Sequence, residues 1–170
     1  MAEIQMDGLS ELLKALDELP ERIKKNAVRG AIRAGCKVFA NEAKQLAPIG
    51  PPGSDKYGSY AGALRDSIKA RSVRFNGDWV NGRVSAGNKV AFYARWVEFG
   101  TAAHLIKPKN AKALFFGGIF AEGVNHPGAK KHPFLRPALD KASNAALEAY
   151  AAYCQRRIDK ENLTEDVNAV

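Results

Sequence analysis

Apolar residues recur at three- and four-residue steps through the first third of the chain, and this pattern predicts two helices. The first runs from Ser10 to Leu19 and is broken by Pro20, which suits the first turn of the second. Two adjacent apolar rows on the second helix, Ala-rich and including Gly35, predict a wide buried face as far as Leu46. Residues 3–6 alternate enough for a short strand before the helices.

The middle of the chain changes from helical spacing to turn residues and alternation. Proline, glycine and serine are concentrated in residues 47–62, which predicts a long loop. Alternating residues then predict a strand over Leu64–Phe75 and a returning strand over Trp79–Ala86. The Asn76-Gly77 dipeptide between them is a strong signal for a hairpin.

The last third is predicted to hold two more helices and one more strand. Val90–Phe99 has helical spacing and stops at Gly100, and 101–110 follows as a loop. The apolar run in 112–120 predicts a central strand interrupted by Gly117 and Gly118. A final helix starts at Pro137 and runs to about Ile158.

These elements predict an α+β fold, with a small, mostly antiparallel sheet packed against the long helix of the N-terminal half and the C-terminal helix. The 170 residues suit one domain over 1–160, with a frayed polar tail over 161–170. Hydrophobic residues make up 46% and charged residues 26%, values typical of globular chains. No apolar run reaches the roughly 18 residues of a membrane span, and no secretory signal opens the chain, so we expect a protein made in a cytoplasm.

The formal charge of +8 indicates attraction to polyanions or acidic proteins. Six basic residues fall at helical steps on one face of the second helix: Arg22, Lys25, Arg29, Arg33, Lys37 and Lys44. We call these six residues the basic stripe. Like charges at these steps repel each other, so the stripe is stabilised only if an anion lies against it. A solvated helix face, an acidic partner and nucleic acid remain open as interpretations.

Neither metal binding nor catalysis is indicated by the chemistry-bearing residues. His104, His126 and His132 have no HxxxH spacing and no adjacent cysteine, and Cys36 and Cys154 are isolated. No activated nucleophile, phosphate-binding glycine loop or paired carboxylate motif is present. We therefore expect a protein that is not an enzyme and that holds no metal or cofactor.

Two motifs stand out instead, one rich in aromatic residues and one rich in proline. The first is residues 93–101, YARWVEFGT, which places aromatics around the carboxylate of Glu98 and ends at Gly-Thr. The second combines the turn at 126–128, HPG, with 133–139, PFLRPAL, which leads into the last helix. A partly buried Glu98 requires a cation or backbone donors. It either ties the short helix to Arg95 or Arg136, which we favour, or pairs with an arginine of another subunit.

This ordered pair of motifs resembles the tail-component family of long-tailed phages, which contains neck and tail-completion proteins similar to minor tail protein Z. The family also begins with a short strand, a Gly-Leu-x-x-Leu-Leu segment and a long Ala- and Lys-rich helix ending in Ala-Pro. The chain matches these with residues 7–13, DGLSELL, with Lys24–Leu46, and with Ala47-Pro48. The resemblance covers roughly residues 3–140.

The resemblance implies a structural virion protein that finishes the tail or joins head to tail. Such proteins look like subunits of a ring, expected to be hexameric, between the head connector and the tail tube or tail terminator, with a channel for the genome. The expected location is the neck or the top of the tail, after assembly in the host cytoplasm. The alternative is a basic, non-catalytic module that contacts nucleic acid through the basic stripe.

Seven residues are predicted to form an interface with another subunit or a neighbouring ring. They are Tyr93, Trp96, Glu98, Phe99, Pro51, Pro52 and Tyr57.

Overall fold

The computed structural model describes residues 8–50, 60–71, 74–76 and 79–168. The helices in these ranges are α1 (Leu9–Asp17), α2 (Glu21–Leu46), α3 (Ala63–Ser67), α4 (Ala94–Phe99) and α5 (Leu135–Asn168). The strands are β1 (Lys69–Ala70), β2 (Arg74–Asn76), β3 (Trp79–Asn81), β4 (Val84–Ser85), β5 (His104–Ile106), β6 (Leu114–Phe116), β7 (Ile119–Ala121) and β8 (Val124–His126). The predicted α+β class is confirmed. The predicted strand at residues 3–6 lies outside the described residues.

Helices α2 and α5 form the frame of the molecule and run antiparallel. Early residues of α2 meet late residues of α5, and the order reverses along the pair: Gly30 lies against Tyr153, and Gly35 against Ala146. Glu42 forms an ion pair with Lys141 at 2.6 Å near the other end. A Cβ atom at residue 30 would lie 2.2 Å from the Tyr153 ring, so glycine is required for this close approach.

Among the described residues, the frame holds two separate hydrophobic cores, one near each end. The first contains Leu12 and Leu16 of α1 packed against α2 and the C-terminal half of α5, including Cys154. The second joins the C-terminal half of α2 to α3, α4 and the start of α5, and its largest fully buried side chain is Phe134. Cys36 and Cys154 are both free thiols. Burial raises the pKa of each thiol, so neither has the environment of a reactive cysteine.

The described strands form four antiparallel pairs instead of the single small sheet predicted. The pairs are β1–β4, β2–β3, β5–β8 and β6–β7. The hairpin expected at Asn76-Gly77 is confirmed, because Asn76 stands opposite Trp79. Strands β1, β3 and β4 contact α2 and so cover part of the helical frame.

The predicted strand over 64–75 begins as helix α3. Gly62 has a left-handed φ of 89° and turns the chain into this helix, which buries Leu64. The hydroxyl of Ser67 donates to the Leu64 carbonyl at 2.6 Å and accepts from the Gly87 N–H at 2.9 Å. A buried side chain with both bonds satisfied fixes the helical turn where alternation alone favoured a strand.

Helix boundaries also differ from the expectations. Helix α4 begins at Ala94 instead of Val90, because the side-chain oxygen of Asn88 accepts the N–H groups of Val90 and Ala91 in a turn before the helix. Helix α5 begins two residues before Pro137 and continues beyond Ile158 to Asn168, through most of the segment predicted to be frayed. Pro137 lies in its first turn, where a missing N–H costs nothing.

The region 101–121 was predicted incorrectly in two places. The expected loop at 101–110 contains β5, which pairs with β8 from His104 opposite His126 to Ile106 opposite Val124. The expected central strand at 112–120 is the β6–β7 hairpin, and its Phe115 and Phe120 are exposed. Gly117 and Gly118, with φ of 56° and 82°, form the turn. Two glycines between apolar runs signal a two-residue hairpin turn.

Candidate assembly surface

The two sequence motifs meet in the structure, across nearly thirty residues of intervening chain. Thr101 pairs with Ala129 as an antiparallel bridge, with N–H to carbonyl distances of 3.0 and 3.2 Å. The Ala129 N–H also lies 2.9 Å from the Thr101 hydroxyl oxygen, which accepts it. The end of α4 is thereby bonded to the segment that precedes α5.

Two glycines permit this crossing. Gly100 and Gly128 have left-handed φ values of 72° and 88°. A Cβ atom at residue 128 would lie 2.2 Å from the Thr101 carbonyl oxygen, and one at residue 100 would lie 2.7 Å from the Ala129 carbonyl oxygen. A side chain at either position would separate the two segments, so the Gly-Thr and Pro-Gly pairs of the motifs have a packing reason.

Glu98 is the central polar residue of this junction. Only 7% of its surface is exposed, and its carboxylate accepts backbone N–H groups from Phe134 at 2.8 Å, Leu135 at 3.0 Å and Arg136 at 3.2 Å. Backbone N–H groups at a helix start lack intrahelical acceptors, and the positive end of the helix dipole favours an anion there. Glu98 is therefore the N-terminal cap of α5, supplied from a helix 36 residues earlier in the chain.

The favoured interpretation of Glu98, an intrachain tie, agrees with these bonds, but the predicted partner was wrong. The expectation was a guanidinium from Arg95 or Arg136, whereas the donors are main-chain amides, one of them belonging to Arg136. A second bond also joins the two segments: the His132 N–H, three residues before α5, donates to the carbonyl of Val97 at 2.7 Å, near the C-terminal end of α4. Carbonyls in the last turn of a helix lack intrahelical donors, and this bond satisfies one of them.

We call these bonds between α4 and the segment at the start of α5 the lock. Beside the lock, the aromatic residues of α4 face outward. Phe99 is 70% exposed and Trp96 50% exposed, so neither ring covers the buried core. Tyr93 is half-buried and packs with Val97 against the core around Phe134. The ring of Phe92, half exposed on the turn before α4, meets Trp96 edge-on with centroids 5.6 Å apart. We call Phe92, Trp96 and Phe99 the α4 patch.

A shallow cleft of about 200 Å³ opens beside the α4 patch. Its lining residues are Ala86, Ala94, Arg95, Glu98, Phe99 and Leu135. Since the Glu98 carboxylate is saturated by amide donors, the cleft offers mainly apolar surface with one cationic side chain at its edge. Such a surface suits the side chain of a protein partner better than a small polar substrate.

The basic stripe lies on the surface of α2 as predicted from its spacing. Arg22, Lys25, Arg29, Arg33 and Lys37 are exposed and Lys44 is half-buried. Lys25 forms an ion pair with Glu21 at 2.9 Å, which reduces the charge at one end of the stripe. Three of the predicted interface residues lie outside the described residues: Pro51, Pro52 and Tyr57. Their place relative to the α4 patch stays a prediction.

The three histidines do not converge. His104 and His126 stand opposite each other in β5 and β8 with ring centroids 5.0 Å apart. His132 lies in the segment before α5 and bonds to Val97 of α4. Nδ1 of His104 lies 2.9 Å from the Ala102 carbonyl, and Nδ1 of His126 accepts the Gly128 N–H. Within the described ranges, no group of three or more histidine, cysteine or carboxylate side chains is arranged to hold a metal ion.

A family model for "Bacteriophage HK97-gp10, putative tail-component" matches residues 10–100 of the chain, which is more than half of its length. The chain belongs to this family. The match ends at Gly100, so it includes the basic stripe and the α4 patch but not the β6–β7 hairpin or α5. Neither the search of curated proteins nor the search of solved structures found a match.

Family membership assigns the chain to the structural components of phage tails and predicts contacts with other phage structural proteins. Among the helices of the described part of the chain, none is long and apolar enough to cross a membrane.

Proposed function

We propose that the protein is a non-catalytic virion subunit that completes the tail or joins head to tail as part of a ring. The observation that supports this most is the α4 patch, in which large apolar side chains are exposed beside a rigid lock. Exposed aromatic residues next to well-packed structure are typical of protein interfaces. The tail-component family makes phage structural proteins the natural partners.

Within this proposal the ring lies at the neck, between the head connector and the tail tube or terminator, and the genome passes through it. Six subunits is the expected number. Trp96 and Phe99 form the contact, Glu98 holds their helix in place, and Tyr93 supports it from the core. Pro51, Pro52 and Tyr57 remain proposed contributors.

A phage lacking this gene, complemented by plasmid-borne variants, provides the test. Trp96→Ser with Phe99→Ser should leave the subunit folded but produce unjoined heads and tails in electron micrographs. Leu13→Ser is the matched control, because Leu13 is a similarly exposed apolar residue on α1, outside the α4 patch. Normal joined particles with the double variant would contradict the proposed contact, and absence of the wild-type protein from purified virions would contradict the virion role.

A nucleic-acid-binding function is the second candidate, because the basic stripe is exposed along α2. Non-specific binding to phosphates weakens steeply with salt, and each basic residue that neutralises a phosphate contributes about one unit to the salt slope. Replacing Arg29, Arg33 and Lys37 by Glu should then abolish salt-dependent DNA binding. Equal, weak binding by the wild type and the triple variant would leave an acidic protein or solvent as the neighbour of the stripe.

A further inference from the structure

The β6–β7 hairpin carries the most exposed aromatic pair in the described part of the chain. Phe115 stands opposite Phe120, the ring centroids are 4.9 Å apart, and the two residues are 65% and 74% exposed. Two-stranded hairpins are marginally stable in water unless another surface covers them. The pair therefore offers apolar area that a partner would cover.

The hairpin is shaped as a projection. Its strands are three residues long, and Gly117 and Gly118 close the turn with positive φ values, as primed hairpin turns require. Apart from each glycine and its chain neighbours, no atom of the described residues lies within 4 Å of the Cβ positions built on Gly117 and Gly118, so the turn stands in open space. Because Phe115 and Phe120 are directly opposite each other in the antiparallel pair, their side chains share one face of this projection.

The cleft beside the α4 patch is a candidate site for this aromatic pair. Its lining includes the small side chains of Ala86 and Ala94 and the exposed ring of Phe99. None of its lining residues belongs to β6 or β7, so the hairpin of the same copy does not occupy it. Edge-to-face contact with Phe99 is a favourable arrangement for an incoming aromatic ring.

The charges beside the two surfaces are also complementary. Glu122 directly follows β7 and is exposed, and Arg95 lies exposed at the cleft. Neither makes an ion pair with another described residue. Lys112, exposed before β6, adds a positive charge at the base of the hairpin. The attraction to Arg95 therefore depends on Glu122, which lies two residues from Phe120, being the charged group nearest that ring.

We propose that the β6–β7 hairpin of one copy inserts Phe115 and Phe120 into the cleft beside the α4 patch of a second copy, with Glu122 facing Arg95. A second copy is the favoured occupant because one chain carries both the exposed aromatic pair and the mainly apolar cleft, with opposite charges beside them. Since the two halves are different surfaces, the contact is heterologous and repeats from copy to copy, which closes a ring when the rotation allows. This inference rests on the proposed ring function and names the surfaces that build it.

Charge exchange provides the test. Arg95→Glu and Glu122→Arg, each purified as the full chain, place like charges at every hairpin–cleft contact, and self-association should weaken by about tenfold or more. In an equal mixture, each variant can donate its hairpin to the other variant's cleft with opposite charges restored. The mixture should recover association to within about threefold of wild type. Native mass spectrometry should show rings that contain the two variants in equal numbers.

Controls separate this contact from loss of folding. Circular dichroism and thermal unfolding check each variant, because a glutamate at position 95 lies near Glu98. Phe115→Ser with Phe120→Ser leaves Arg95 intact and should weaken association at least as much, whereas the matched Leu13→Ser variant should associate as the wild type does.

The outcomes distinguish the contact from the ring. A mixture that associates no better than either variant alone, or a wild-type chain that stays monomeric, would overturn the proposal. If the Phe115 and Phe120 double variant still forms rings of native mass, the hairpin contact is wrong while the ring stands. Incorporation of the protein into virions, measured separately, tests the proposed function independently of both results.

Discussion

The helical frame buries small apolar side chains, whereas the strand-rich region leaves large apolar side chains exposed. Along the α2–α5 seam, small residues such as Ala27 and Ala31 are fully buried, and Gly30 allows the helices to approach closely. Around α4 and the β6–β7 hairpin, large residues such as Phe99 and Phe120 are exposed. Burial here follows the distance between backbones and the length of the elements, not the size of the side chain.

This difference separates a part that buries its apolar side chains and folds the chain from a part whose large apolar side chains stay exposed. Long helices can bury a continuous seam, whereas strands of two or three residues have too little surface to cover an aromatic ring. The bonds from Glu98 to the start of α5 connect the two parts and fix the exposed aromatics to the frame. Four substitutions test this division, in order of decreasing effect.

Phe134→Ala should have the largest effect, a loss of about 3 to 5 kcal/mol in the free energy of unfolding. Phe134 is fully buried where α5 joins α2, α3 and α4. Urea denaturation measures the loss, and Phe99→Ala is the matched control because its ring is mostly exposed. The control should lose less than about 1 kcal/mol. Similar losses in both variants would remove the distinction between the two regions.

Gly30→Ala tests the close approach of the helices. The new methyl group would overlap the Tyr153 ring, so we expect a loss of about 1 to 3 kcal/mol, despite alanine's better helix propensity. In a Tyr153→Ala background the overlap is absent, and the same substitution should stabilise the helix by up to about 1 kcal/mol. A double-mutant cycle by urea denaturation measures the change of sign. Additive effects would mean that the ring moves aside without cost.

Glu98→Gln tests the lock between α4 and α5. The neutral amide loses charge-assisted bonds and the favourable position at the helix dipole, which should cost about 1 to 3 kcal/mol. Hydrogen exchange at the amides of Phe134, Leu135 and Arg136 should accelerate more than exchange in the middle of α5. Glu148→Gln, at an exposed position of α5, is the control and should change neither quantity. Unchanged exchange at the three amides would show that Glu98 is not their main acceptor.

The sequence predicted the helical frame better than the strand-rich region, for physical reasons. The periodicity of α2 and the small residues that include Gly35 extend over many turns, so they predicted a helix and its close packing. Strands β5 to β8 are three residues long, with exposed residues on them, and carry little alternation. The partners of Glu98 are amides 36 residues away, which no local pattern indicates. The hairpin at Gly117-Gly118 could have been predicted from its turn signal.

The smallest effect concerns the interior of the frame, where Tyr150 packs against the core around Cys154. Burial raises the pKa of Tyr150 to about 12 from an ordinary value of 10, with a smaller contribution from Cys154. The folded protein therefore keeps this proton at pH values where the unfolded chain loses it. The contribution of Tyr150 to the free energy of unfolding is fully present below pH 10 and is lost as the pH rises towards 12. The half-buried ring is partly screened by solvent, and the loss should be about 1 kcal/mol. Urea denaturation across this pH range measures the loss, and Tyr150→Phe should make the slope shallower, leaving smaller contributions that include the Cys36 and Cys154 thiols, whose pKa values burial also raises. An equally steep slope in the Tyr150→Phe variant would mean that the Tyr150 hydroxyl lies in water and that the frame is less tightly closed at this end than its small-residue seam indicates.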